Sequence, residues 1–205
     1  MVGQTVQAIQ EARELTVARD RLGSPRESAQ AHLYLGDILA DARSPPADRR
    51  DAVSEYAEAI RFARIAKDPR RVGWALYKTS ELLLEAGALA EAREKAEQAS
   101  LVLDQIGDEV GLAMATKVRG QLAMATGDLP SSRDFLDEAC RRLEGTNHTL
   151  EELDVLLRLA QLLQKQGETK GAEELTTRLQ AMGLRTARPD LLGEFEVLQR
   201  MLTKG

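Results

Sequence analysis

Aromatic residues are scarce in this chain: one Trp, three Tyr and three Phe, only 3 % of 205 residues. β-Branched residues are sparse and scattered, so the usual material of a β-sheet is missing. Cysteine occurs once, at Cys140, which excludes an intramolecular disulfide and agrees with a reducing cytosol. No run approaches the roughly 20 apolar residues needed to span a bilayer. The opening Met1-Val2-Gly3-Gln4 has neither the basic start nor the apolar core of a secretory signal. The expectation is a cytoplasmic protein that does not enter a membrane. Basic residues are not in excess either. Lys and Arg number 28 against 33 Asp and Glu, a net charge of −5 and a pI near 5.3, which speaks against nucleic acid as a partner.

Catalytic chemistry is equally thin. His32 falls at a helix-packing position and His148 in a loop, far apart in sequence, which gives no basis for a shared metal. Cys140, beside Ala139 on a packing helix, reads as a small buried hydrophobe. No glycine-rich phosphate loop is present, and the carboxylates are spread along helix surfaces without a paired dyad. The expectation is a protein that is not an enzyme and takes no cofactor, metal or small-molecule substrate.

What is present is helix. Ala, Leu, Glu, Arg and Gln dominate, hydrophobic residues at 43 % suffice for a continuous core, and charge at 30 % suits long solvated helix faces. The sequence also repeats. Shifted by forty residues, Gly87 falls on Gly127 and Gly167; Ala92 on Ala52, Ser132 and Ala172; Ala99 on Ala59, Ala139 and Leu179. Self-similarity at a fixed period marks a stacked array whose units touch only their neighbours. The predicted fold is all-α, an α–α superhelix or solenoid of antiparallel hairpins with about ten helices.

The predicted chain order is a first helix over residues 2–20 with Ala8, Ala12 and Leu15 on one face, then repeats over 24–67, 68–107, 108–147 and 148–183, and a capping helix in 184–205. Ser24-Pro25-Arg26-Glu27 and Thr149 with Glu152 read as capping boxes. Asp68-Pro69 and Asp108 read as helix starts, and Pro130 as a first-turn residue. Ser44-Pro45-Pro46 breaks the chain into a loop. The Gly36-to-Ala52 interval is 16 residues where later repeats have 12, so four extra residues belong to that loop. Beyond Pro189, Leu191, Phe195, Leu198 and Leu202 recur at helical spacing. Gly36, Ser80, Gly120 and Ala160 fall at equivalent places, where a small side chain lets two helices approach.

These residues resemble the tetratricopeptide repeat (TPR) family. The first repeat carries Leu35, Gly36, Leu39, Ala52, Tyr56 and Ala59; the second carries Leu76, Leu83, Gly87, Ala92 and Ala99, with Thr79-Ser80 where Leu-Gly is usual. The third keeps Gly120, Gly127 and Ala139 but has Ser132, and the fourth keeps Leu159, Ala160, Leu163, Gly167 and Ala172. The resemblance covers about residues 26–183. A period of forty, against about thirty-four for the standard repeat, is similar to the long form in bacterial signalling ATPases, kinases and transcriptional regulators, and in kinesin light chains.

The resemblance implies a protein or peptide partner held on the first helices of the pairs. By register the groove set is Leu33, Asp37, Trp74, Tyr77, Glu81, Leu84, Met114, Lys117, Gln121, Met124, Leu157, Gln161 and Lys165. Trp74 with Tyr77 is the expected hot spot; the alternative is that Trp74 packs against a neighbouring helix. The basic and Asn-rich carboxylate clamp of chaperone-binding members is missing at Leu33, Asp37 and Tyr77. Arg61, Arg64, Lys67, Arg70 and Arg71 form a basic cluster, read first as cations offsetting a helix dipole and second as a dock for an anionic partner. Self-association, or packing inside a larger multidomain protein, is the alternative to a scaffold.

Overall fold

The structure, a computed structural model, describes residues 2–41 and 46–203, all in helices and short connections with no strand among them. It divides into two compact units, Met1–Asp108 and Glu109–Gly205. The first unit holds α1 (Val2–Leu22), α2 (Pro25–Ala40), α3 (Pro46–Ile65), α4 (Pro69–Glu85) and α5 (Leu89–Gln105). The second holds α6 (Glu109–Ala125), α7 (Leu129–Leu143), α8 (Thr149–Gln166), α9 (Thr169–Ala181), the single turn α10 (Leu184–Ala187), a 3₁₀ turn at Pro189–Leu191 and α11 (Leu192–Leu202). Of the predicted break Ser44-Pro45-Pro46, Ser44 and Pro45 lie outside the described residues, and Pro46 belongs to α3 as its first residue, where a missing N–H costs nothing.

In the first unit α2 pairs with α3 and α4 with α5; α2 and α4 also touch, and α1 packs on α2. Its core gathers Ala12, Leu35, Leu39, Ala52, Tyr56, Ala59 and Ala75. The second unit pairs α6 with α7 and α8 with α9. There α11 closes the end of the α8–α9 hairpin, Phe195 and Leu198 entering a core with Leu153, Leu157, Ala160 and Leu179.

The repeat register is visible in burial. Ala52, Ala92, Ser132 and Ala172 are each fully buried, as are Ala59, Ala99, Ala139 and Leu179. Close approach explains the small residues. A methyl on Gly36 would lie 2.5 Å from the Tyr56 ring across the α2–α3 hairpin, and one on Gly120 would lie 2.8 Å from Leu136 across α6–α7. At the equivalent register positions Ser80 and Ala96, and Ala160 and Thr176, are all buried. Where the first helix has no side chain the second offers a large one; where it has a small one the second does too.

Helix ends follow local chemistry with three corrections. Asp68 caps α4, accepting a bond of 3.2 Å from the Arg71 amide. Ser24 stands at the N-cap of α2 but makes no side-chain cap bond, and Glu27 accepts from Arg19 at 3.0 Å instead of closing the box. Thr149 is the first residue inside α8, behind His148 at the cap, and Glu152 pairs with Arg178 rather than closing a box. On α1 the buried face is Ala12 and Thr16 flanked by Ile9, leaving Leu15 in solvent. Among the described residues the left-handed positions are glycines with one exception, Lys67 at φ 52°, which follows α3 where Gly107, forty residues on, has φ 65°. A lysine held there costs about 1 kcal/mol relative to glycine.

Candidate functional site

In the first unit the predicted face is built on α4. Trp74 is half-buried. Its ring meets Tyr77 edge-on at 5.3 Å and 67°, and its indole N–H donates to Asp108 Oδ2 at 2.9 Å. Asp108 is buried and also receives Arg70 Nε at 3.2 Å, so one carboxylate fixes both side chains. The tethered indole keeps part of its surface in solvent. Tyr77 is itself buried.

One turn further along, Asp37 joins three helices. It accepts from the Tyr56 hydroxyl at 2.8 Å and from Lys78 Nζ at 2.9 Å, and Lys78 lies over the Tyr77 ring at 5.5 Å. Burial, reinforced by the Asp37 carboxylate, holds the Tyr56 hydroxyl firmly protonated. Burial works against the Lys78 charge, but Tyr77, Asp37 and Glu81 outweigh it and raise its pKa. Leu33, Glu81 and Leu84 are half-buried and Asp37 is exposed. Lys78 and Asp108 were not among the predicted residues. Asp108 reads from the period as a cap, the counterpart of Asp68, and no sequence signal ties it to Trp74.

In the second unit the predicted set divides. Gln121 and Met124 on α6 and Gln161 on α8 are half-buried; Lys165 on α8 is exposed, and its Nζ donates to the Met124 carbonyl at 3.2 Å. Gln161 donates to Glu194 of α11 at 2.9 Å. Three residues lie inside instead. Leu157 is fully buried in the α8–α9–α11 core, because the apolar face of α8 is wider than one groove-facing stripe. Met114 is buried as part of the run Gly111–Val118, every residue of which is inside. Lys117 is 1 % exposed and donates to Asp154 Oδ2 at 2.6 Å. Asp154 also accepts from Arg158 Nε at 3.2 Å, and Arg158 pairs with Glu194. Burial opposes the Asp154 charge, but Lys117, Arg158 and Arg188 outweigh it and hold the carboxyl well below the usual range. Lys117 and Leu157 therefore present no surface to a partner.

His32 is buried between two carboxylates, Nδ1 at 2.6 Å from Glu55 and Nε2 at 3.3 Å from Asp20, and stacks on Phe62 at 5.4 Å. It thereby ties α1, α2 and α3 together. Cys140 is half-buried, and burial pushes its thiol up to about 11, which leaves it a poor nucleophile. Among the described residues no group of three or more His, Cys, Asp or Glu could hold a metal ion. Among them, too, no helix is long and apolar enough to cross a membrane.

No family model and no curated protein matches this sequence. Solved structures do. A point-mutant form of a Podosopora anserina chain, described as a kinesin light chain of nearly identical TPR-like repeats, superposes with a TM-score of 0.62 at 15 % identity, covering 91 % of this chain and 90 % of that one. The form without that substitution gives 0.59 at 14 % identity over the same shares. The chain has a TPR-like repeat fold. BtubC (BKLC) from P. vanneervenii gives 0.54 at 13 % identity, covering 88 % and 89 %. At these identities the likeness speaks for the fold, whose hairpins here are α2–α3, α4–α5, α6–α7 and α8–α9.

Proposed function

We propose that this TPR-like chain is a protein-interaction scaffold, a single array that takes a peptide or helix of a partner protein against the first helices of its hairpins. The observation that carries this reading is Trp74, the sole tryptophan, backed by Tyr77, tethered through Asp108, and part-exposed on α4. A rigid aromatic on a defined face is the residue type that dominates binding energy at interfaces. Leu33 and Leu84 extend the apolar surface, and Asp37 and Glu81 give it a polar rim. In the second unit Gln121, Met124, Gln161 and Lys165 are the corresponding contact residues, with no part for Lys117 or Leu157. A regulatory role in bacterial cytoplasmic signalling, without catalysis, cofactor, nucleic acid or membrane, fits the long repeat period and the acidic charge.

Peptides selected from a displayed library on the intact chain provide the test. They are expected to quench or shift Trp74 emission and to lose at least tenfold in affinity on Trp74→Ala, with helicity retained. Selected peptides that bind Trp74→Ala and Leu84→Ala as tightly as the parent would refute the assignment.

A second reading, self-association within a larger assembly, draws on α1, where Val6, Leu15, Val17 and Leu22 are exposed. Light scattering separates the two readings: a stable dimer abolished by Leu15→Lys with Leu22→Lys favours the second, and a monomer at all concentrations removes it.

A further inference from the structure

At the turn from α3 into α4, within the first unit, Arg26, Lys67, Asp68, Pro69, Arg70 and Ile106 border an open concavity of about 300 Å³. Two buried carboxylates orient its cations. Arg26 turns Nε toward Asp68 at 3.5 Å, and Arg70 turns Nε toward Asp108 at 3.2 Å. A guanidinium carries five N–H donors in a rigid fork. Among the described residues neither arginine has another partner, so the amino groups of both remain available, and the Lys67 ammonium has no partner there at all. Counting Arg71, which pairs with Asp68, four cations stand against two carboxylates and leave a local charge of +2 on a chain of net −5.

The repeat does not require this lining. Forty residues on, Lys67, Arg70 and Arg71 become Gly107, Val110 and Gly111. The turn geometry also asks for glycine at 67, and the sequence supplies lysine at φ 52°. Arg64 already places a cation in the last turn of α3, so the helix dipole alone does not call for Lys67. Strain accepted at a charged residue beside a concavity marks a position held for what its side chain does.

We infer that this concavity docks an acidic segment of a protein partner, its Asp and Glu side chains over Arg26, Lys67 and Arg70 and an apolar neighbour against Pro69 and Ile106. A seated phosphate fits less well, because Asp68 already occupies the α4 N-terminus by accepting from the Arg71 amide. The available donors are side-chain groups around an open rim, interleaved with apolar ones, as an extended peptide requires. The site is apart from the Trp74 face and does not rest on it, although Asp108 touches both Trp74 and Arg70.

The experiment is fluorescence anisotropy of the intact chain with a labelled Glu-rich peptide of about ten residues carrying one central Leu, against its Gln counterpart. The acidic peptide is expected to bind, the Gln peptide not, with affinity falling at least tenfold between about 50 and 500 mM salt. Lys67→Gly is expected to weaken binding about fivefold while the melting temperature holds or rises, since glycine relieves the turn. Arg26→Gln with Arg70→Gln should abolish binding, and Trp74→Ala should leave it within twofold. Unchanged binding in Lys67→Gly and in the double variant overturns the inference. So does tighter binding of an oligonucleotide, or of a Gln-background phosphoserine peptide, with the same variant sensitivity.

Discussion

Gly36 faces the ring of Tyr56 across the first hairpin so closely that a methyl group there would lie 2.5 Å from Tyr56 Cε1. Both residues are buried, and the Tyr56 hydroxyl is fixed at its far end by Asp37, so the ring has little freedom to retreat. Gly36→Ala is therefore expected to destabilise the chain by about 1–3 kcal/mol through overpacking. Tyr56→Leu in the same chain should recover part of that loss, and urea unfolding of the two singles and the double measures the coupling.

Ser132 occupies the place of Ala52, Ala92 and Ala172, fully buried, and its hydroxyl has no hydrogen-bond partner. An unsatisfied buried hydroxyl is a cost that alanine does not carry, and alanine is the better helix former. Ser132→Ala is expected to stabilise by about 1 kcal/mol, read as a rise in melting temperature with unchanged helicity. A fall would contradict the burial of that oxygen.

Lys117 and Asp154 form the enclosed ion pair of the second unit. Lys117→Ala leaves Asp154 with Arg158 in a site built for three charges and is expected to cost about 3 kcal/mol, whereas Lys117→Met with Asp154→Leu should lie close to the parent. Because the folded chain holds the Asp154 carboxyl below its usual value, its contribution is complete above about pH 4 and fades as pH falls toward the folded value. Acid unfolding of the parent should accordingly be steeper than that of the double variant, and their stability difference should shift in favour of the variant below about pH 4.

Much of the fold is legible in the sequence because it rests on spacing. Glycine at left-handed turns, alanine at crossings and leucine a turn away recur at forty residues, and each does the same mechanical work wherever it falls. Charges inside the structure obey no such period. Lys117 reads as a groove residue because lysine is ordinarily solvated, and its partner lies 37 residues away, off the repeat. A clue was available: α6 is apolar nearly all round, so a cation in its middle has to be paired. The capping boxes failed for a related reason. Glu27 and Glu152 had guanidinium partners on other helices, and those long-range pairs prevail over a local motif that sequence alone makes attractive. Trp74 was legible as a scarce aromatic, but its tether to Asp108 was not, since that contact depends on how one hairpin closes over the next turn.

The close approach of Gly36 to Tyr56 and of Gly120 to Leu136 means that the helices of each of these hairpins are cut to their own fit. Transplanting a lone helix from one repeat into another would bring bulk against bulk or leave a hole. The hairpin, not the helix, is the smallest interchangeable part of this chain, and recombination of its segments would have to cut at the turns between hairpins to yield a folded product.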